Sequence, residues 1–174
     1  MEDSTMPSTK SVGMKWGLIL GVLSIVWFLI TVFAGLATET WAQWSGLVFT
    51  IVILYLAHKD FKDSGDGYMS YGQGLGIGMI TIGISSVLSS AFAYVYIKFI
   101  DPTYMEMIMD KQIEGMQENG MSDAEIETAM SFSEGFMNPE VMFVTGIIWG
   151  LLLGFIISLI VSAITKNSNP ELDM

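Results

Sequence analysis

Glycines at positions 72, 74, 76 and 78, inside the run GQGLGIGMITIG, are spaced closely enough to suggest a phosphate cradle. A dinucleotide-binding loop uses G-x-G-x-x-G between a strand and a helix, so that backbone N–H groups can approach the pyrophosphate. Here the third glycine is missing, a polar loop (HKDFKDSGDGYMS) precedes the run, and no Walker lysine follows. Nucleotide binding is therefore not expected. Met105, Met107 and Met109 form M-x-M-x-M, and thioethers suit soft ions such as Cu(I). On a helix, however, Met107 points away from the other two, and an apolar stripe already accounts for Met105 and Met109. Asp60, Asp63 and Asp66 fall in DFKDSGDG, which lacks the D-x-D-x-D-G order of a calcium loop and reads as a solvated turn. The only histidine, His58, adjoins Lys59 at the end of an apolar stretch, where basic residues anchor to lipid headgroups. Cysteine is absent, which removes disulfides, thiolate metal sites and a cysteine nucleophile. No nucleophile–base pair is evident. No catalytic residues, metal ligands or cofactors are expected, and the chain reads as non-enzymatic.

The elements that would position any such residues are dictated by composition. Of 174 residues, 52% are hydrophobic and only 14% charged, against about 25% charged in a typical soluble domain. The apolar residues concentrate in four stretches, at about residues 14–37, 41–57, 71–97 and 141–165. None carries a charge in its core, and a helix needs roughly 20 such residues to cross the hydrocarbon. The expected fold is all-α: one integral membrane domain, residues 1–174, with four transmembrane helices. The first stretch exceeds the h-region of a signal peptide and no clear A-x-A site follows, so it reads as a spanning helix. Gln43 and Gln73 stand at stretch ends, within reach of water or headgroups.

With phosphate chemistry set aside, the glycines read as helix-packing residues. Gly74 and Gly78 form a GxxxG pair whose face is continued by Thr81, Ser85 and Ser89. The fourth stretch carries Gly146, Gly150, Gly154, Ser158 and Ser162, each four apart, and the first carries Gly13, Gly17 and Gly21. Small residues let helix backbones approach in lipid, where hydrophobicity cannot drive association. Close crossings among the first, third and fourth stretches are expected, within the chain or with a second copy or partner helix. The hexads WGLILG and WGLLLG, at Trp16 and Trp149, read as shared packing chemistry rather than as an inverted repeat.

Residues 101–140 hold ten acidic residues and one lysine, most of the chain's net charge of −11. Such a segment repels nucleic acid and anionic lipid, so no nucleic-acid partner is expected. It is not a disordered tail. Asp101 is a possible N-cap before Pro102. Met105, Ile108, Met109, Ile113 and Met116 follow at helical spacing, and Asn119-Gly120 reads as the stop. Ser122 and Glu125 have capping-box spacing ahead of Ile126, Ala129 and Met130. An amphipathic helical hairpin is predicted. Lys10, Lys15, Lys59, Lys62 and Lys166 gather on the side of both termini, which the positive-inside rule makes cytoplasmic. The hairpin then lies outside.

WGLILG, GYMSYGQGLGIG, YIKFIDPTYMEMIMDKQIEGMQENGMSDAEIETAM and LGFIISLIVSAITK, in that order, resemble the bacterial membrane family named domain of unknown function 4199. The resemblance spans about residues 12–166. It implies four transmembrane helices and an inner-membrane location, and brings no activity or catalytic residues. Two roles are consistent with these readings. One is a small scaffold, accessory or interaction subunit, with the bilayer and a membrane protein or second copy as partners. The other is a small transporter or channel without ion-coupling residues, lined by Ser85, Ser86, Ser89 and Ser90.

Overall fold

The structure, a computed structural model, describes residues 7–169. It contains helices α1 (Thr9–Phe33), α2 (Thr40–Asp63), α3 (Tyr71–Val95), α4 (Tyr104–Glu118), α5 (Asp123–Glu134) and α6 (Pro139–Thr165). A π-helical turn, Tyr96–Ile100, prolongs α3. Among the described residues there is no strand, only an isolated antiparallel bridge between Met69 and Asn167. The helices α1, α2, α3 with its π-turn, and α6 are long and apolar enough to cross a bilayer. We read the chain as a multi-pass membrane protein.

Local chemistry sets the helix ends. The Ser8 hydroxyl caps α1 by accepting from the Ser11 amide, and past its other end Gly35 takes φ +69°, which a side chain would resist. Helix α2 runs beyond the apolar limit at Ala57, because Phe61 is buried and Asp60 is tied to α1. Gln73, exposed at the start of α3, is also engaged locally: its Oε1 accepts from the Ser70 amide while Ser70 Oγ accepts from the Gln73 amide, closing a capping box on α3. Asn138 accepts from the Glu140 amide, and Pro139 occupies the first turn of α6, where no N–H is needed.

Helix α3 is the centre of the bundle. It packs along its length against α1 on one side and α6 on the other, while α2 closes the remaining side with fewer contacts. The start of α1, the end of α2, the start of α3 and the end of α6 meet at one end of the bundle, as the Lys15–Asp60 and His58–Thr165 contacts establish. That end holds the lysine cluster. Lys98, at the opposite end, is paired with Glu140 and donates to Tyr94 Oη. The chain termini lie outside the described residues.

The far end carries the hairpin. Phe28 of α1 meets Phe92, Tyr96 and Tyr104 edge-on, with centroids 6.1, 5.3 and 5.8 Å away, so the first residue of α4 is pinned to the bundle. Asp101 is not the N-cap of α4. The cap is Thr103, because the π-turn and Pro102 delay the helix, and Asp101 instead accepts from the Thr103 hydroxyl at 2.6 Å. Gly120, at φ +78°, turns the chain into α5, where Ile126 and Met130 are buried.

The Ser122–Glu125 capping box opens α5, with the Glu125 carboxylate accepting from both the Ser122 hydroxyl and its backbone N–H. Those bonds hold the Glu125 carboxyl below its ordinary value of 4.5. The bonds favour the ionised form, so their contribution is complete above the unfolded value and is lost as pH falls through the depressed one. Carboxyl NMR titration should place the Glu125 midpoint below that of an unpaired glutamate, and Ser122→Ala should raise it. An unmoved midpoint would deny the capping box.

Candidate functional site

Three features of the bundle bring functional side chains together: the small-residue seams, a polar layer at the lysine end, and a cleft beneath α2.

The α3–α6 seam is antiparallel. A Cβ built on Gly78 would lie 2.9 Å from Ser158 Cβ, one on Gly74 3.2 Å from Ser162 Cβ, and one on Gly150 3.0 Å from Ser86 Cβ. A Cβ on Gly146 would stand 2.8 Å from the Ser90 hydroxyl, and Gly154 faces Ile82. Each layer pairs one glycine with one larger residue, and the glycine changes helix halfway along. The α1–α3 seam is parallel. A Cβ built on Gly13, Gly17 or Gly21 would stand 2.8, 2.9 or 2.8 Å from Ile80, Ile84 or Leu88, and Thr81 donates to the Gly13 carbonyl at 3.3 Å. The face of α3 that meets α6 therefore runs Gly74, Gly78, Ile82, Ser86, Ser90, while Thr81 faces α1. Ser85 lies outside the seam: it is buried, bonds the Ile82 carbonyl and borders the cleft. All these rows face neighbours inside the chain. The two similar hexads sit differently, with Trp16 packed against the core and Trp149 exposed to lipid.

The polar layer centres on His58, which is not a headgroup anchor. Its exposure is 0%, because the added turn of α2 carries it between α3 and α6. Its Nε2 lies 2.9 Å from the Gly74 carbonyl and its Nδ1 lies 2.7 Å from Thr165 Oγ1. A carbonyl only accepts, so Nε2 carries hydrogen. Thr165 Oγ1 is also 2.7 Å from the Val161 carbonyl, and its single hydrogen serves one neighbour at a time. A neutral ring accepts that hydrogen at Nδ1; a charged ring donates from Nδ1 and leaves it on Val161. Around this tie, Lys62 donates to the Thr165 carbonyl at 3.1 Å, capping α6. Asp60 accepts from Lys15 at 2.9 Å and from the Trp16 indole at 2.8 Å, joining α2 to α1. His58 thus works as an interhelical tie. The buried Ser158 and Ser162 hydroxyls, nearby on α6, have no hydrogen-bond partner among the described residues.

The cleft lies toward the other end, where α2 leans on α1 through the Trp27 indole and the Ala42 carbonyl, 3.3 Å apart. Three adjoining cavities of about 350, 240 and 210 Å³ share Ser24 as a lining residue. The innermost is bordered by all four long helices, with Gln43 and Thr50 from α2 and Ser85, Ser86 and Ser89 from α3. The largest has walls from α1, α3 and α6 but none from α2. No charged residue lines any of the three. Gln43, exposed near the start of α2, also borders the cleft, a placement that no local signal in the sequence foretells.

The methionines of α4 divide as a helix requires: Met105 and Met109 are half-buried and Met107 is exposed. Among known families, one described as "Protein of unknown function (DUF4199)" matches residues 15–167. No curated protein and no solved structure matches the chain.

Proposed function

This chain belongs to the DUF4199 family of proteins of unknown function, and from that premise we propose that it is a small, non-enzymatic interaction subunit. It resides in a bacterial inner membrane with both termini cytoplasmic. The four long helices hold the acidic hairpin out of the bilayer, and the hairpin meets a protein partner with a basic surface. The observation behind this reading is the hairpin itself. Helix α4 buries no residue, and Glu106, Asp110, Glu114, Glu118, Asp123 and Glu127 are exposed along α4 and α5. The small-residue rows are spent within the chain, which leaves the hairpin as the charged surface free for recognition. Charge of one sign sets the partner's sign and hastens encounter.

A photo-crosslinking residue in place of Glu118 or Glu127, in native membranes, should capture a protein rich in Lys and Arg at the contact. Raised salt should weaken that capture, since exposed charge pairs are screened. Crosslinks confined to the chain itself, at low salt, would overturn the role. Orientation is tested separately. Because the chain has no cysteine, Glu118→Cys should react with an impermeant thiol reagent on intact spheroplasts, and labelling only after lysis would reverse the topology.

A second reading, a small transporter or channel without ion-coupling residues, draws on the cleft lined by Ser24, Gln43 and the α3 serines. Solute flux in sealed vesicles containing this protein alone would favour it over the subunit role.

A further inference from the structure

Many hydroxyls in the long helices bond back to their own helix, the ordinary outcome for serine and threonine in lipid. Ser45, Thr50, Ser85, Ser89 and Thr145 each donate to a carbonyl three or four residues earlier. Ser24, Ser86 and Ser90 do not: no hydrogen bond joins their hydroxyls to any described residue. All three line the cleft, and Ser86 is only 7% exposed. Gln43 adds an amide to the same space. Its Nε2 donates to the Ala37 carbonyl at 3.3 Å, and its Oε1 has no donor among the described residues. Among these groups, the Ser86 hydroxyl is enclosed deeply enough to lack the water that would satisfy it outside the bilayer. Their convergence from three helices onto one cavity is what a site for a hydrogen-bonding ligand requires.

We propose that this cleft binds an uncharged amphiphile drawn from the bilayer: an apolar chain or ring system ending in a hydroxyl or carbonyl. The lining selects each part. Apolar and aromatic walls, among them Phe28, Phe49 and Phe143, take the body. Ser24, Ser86 and the Gln43 amide take the head, and together they can both donate to it and accept from it. An ionised head is rejected, because no opposite charge lines the cavities to offset its desolvation. Entry is lateral, through the largest cavity, where α2 contributes no wall. The site is independent of the hairpin's role, so failure of either leaves the other standing.

The test uses the full chain in phosphatidylcholine nanodiscs with three photo-reactive C16 probes that differ only at the end: hydroxyl, methyl or carboxylate. The diazirine sits next to that end. The hydroxyl probe should label peptides containing Ser24, Gln43 or Ser86 roughly fivefold more than the methyl probe, from the added hydrogen bonds. Unlabelled hexadecanol should compete, and the carboxylate probe should not exceed the methyl one. Ser24→Ala with Gln43→Leu should abolish that excess, while Ile160, exposed on α6, remains equally labelled and the melting temperature stays in place. Equal labelling of the cleft by hydroxyl and methyl probes would mean that acyl chains merely fill it, and would overturn the proposal. So would absence of cleft labelling, or a carboxylate probe that binds best. Should the double variant fail to fold, Ser24→Ala alone gives the same comparison.

Discussion

Gly78→Leu is expected to destroy the α3–α6 seam, lowering stability by about 3 kcal/mol or more, beyond the usual cost of overpacking. The reason is the absence of room. Even one methyl carbon on Gly78 would stand 2.9 Å from Ser158 Cβ, and the neighbour is the root of a side chain on a buried helix, unable to swing aside. Gly76 supplies the control on the same helix. Nothing lies within 4 Å of its virtual Cβ. Gly76→Ala should therefore raise stability by about 0.5 kcal/mol through the helix propensity and reduced unfolded-state freedom of alanine. Ser158→Ala removes the facing hydroxyl instead of adding to the glycine. That hydroxyl is buried and unpartnered, so its loss should be neutral or stabilising, up to about 1 kcal/mol. Thermal unfolding of the three variants in one detergent decides the matter. Equal melting of the Gly78 and Gly76 variants would mean that α3 and α6 are not in contact there.

His58→Ala is expected to cost about 3 kcal/mol, combining a cavity the size of an imidazole with two lost hydrogen bonds. The ring is fully enclosed and touches α3 through the Gly74 carbonyl and α6 through the Thr165 hydroxyl. His58→Phe keeps an aromatic ring there, slightly larger than imidazole, and should cost less, about 1–3 kcal/mol, since an apolar edge then faces two polar atoms. Thr165→Val should cost less in the His58→Phe background than in the wild type, because the Nδ1–Oγ1 bond is already gone. The double-mutant cycle should return a coupling of about 1 kcal/mol. Additive effects would break the proposed tie between α2 and α6, and a headgroup anchor would predict almost no cost for any of these changes.

Much of the architecture is legible in local patterns. The four spans follow from charge-free apolar length, a property of each segment taken alone. The Ser122–Glu125 box and the Gly120 turn are also local, since each is decided by residues within a few positions. The four-residue spacing of Gly146, Gly150 and Gly154 sets them on one ridge of a helix before any partner is known. Reading such a row beyond its own helix is where local reasoning stops. The choice between Ser85 and Ser86 at the seam differs by one position, or about 100° around the helix. Which of them meets Gly150 depends on the rotation of α3, and α1 and α6 set that rotation jointly.

The sequence by itself determined what each segment is, its hydropathy and its approximate length, because these are sums over neighbours in the chain. Only the tertiary structure decided what each segment faces. His58 is an interior tie because α2 gains a turn and is flanked by α3 and α6. Ser24, Gln43 and Ser86 share a cavity because α2 leans on α1 at one end and on α6 at the other. Those meetings join residues far apart in the chain, and they follow from helix register and tilt, which no single helix carries.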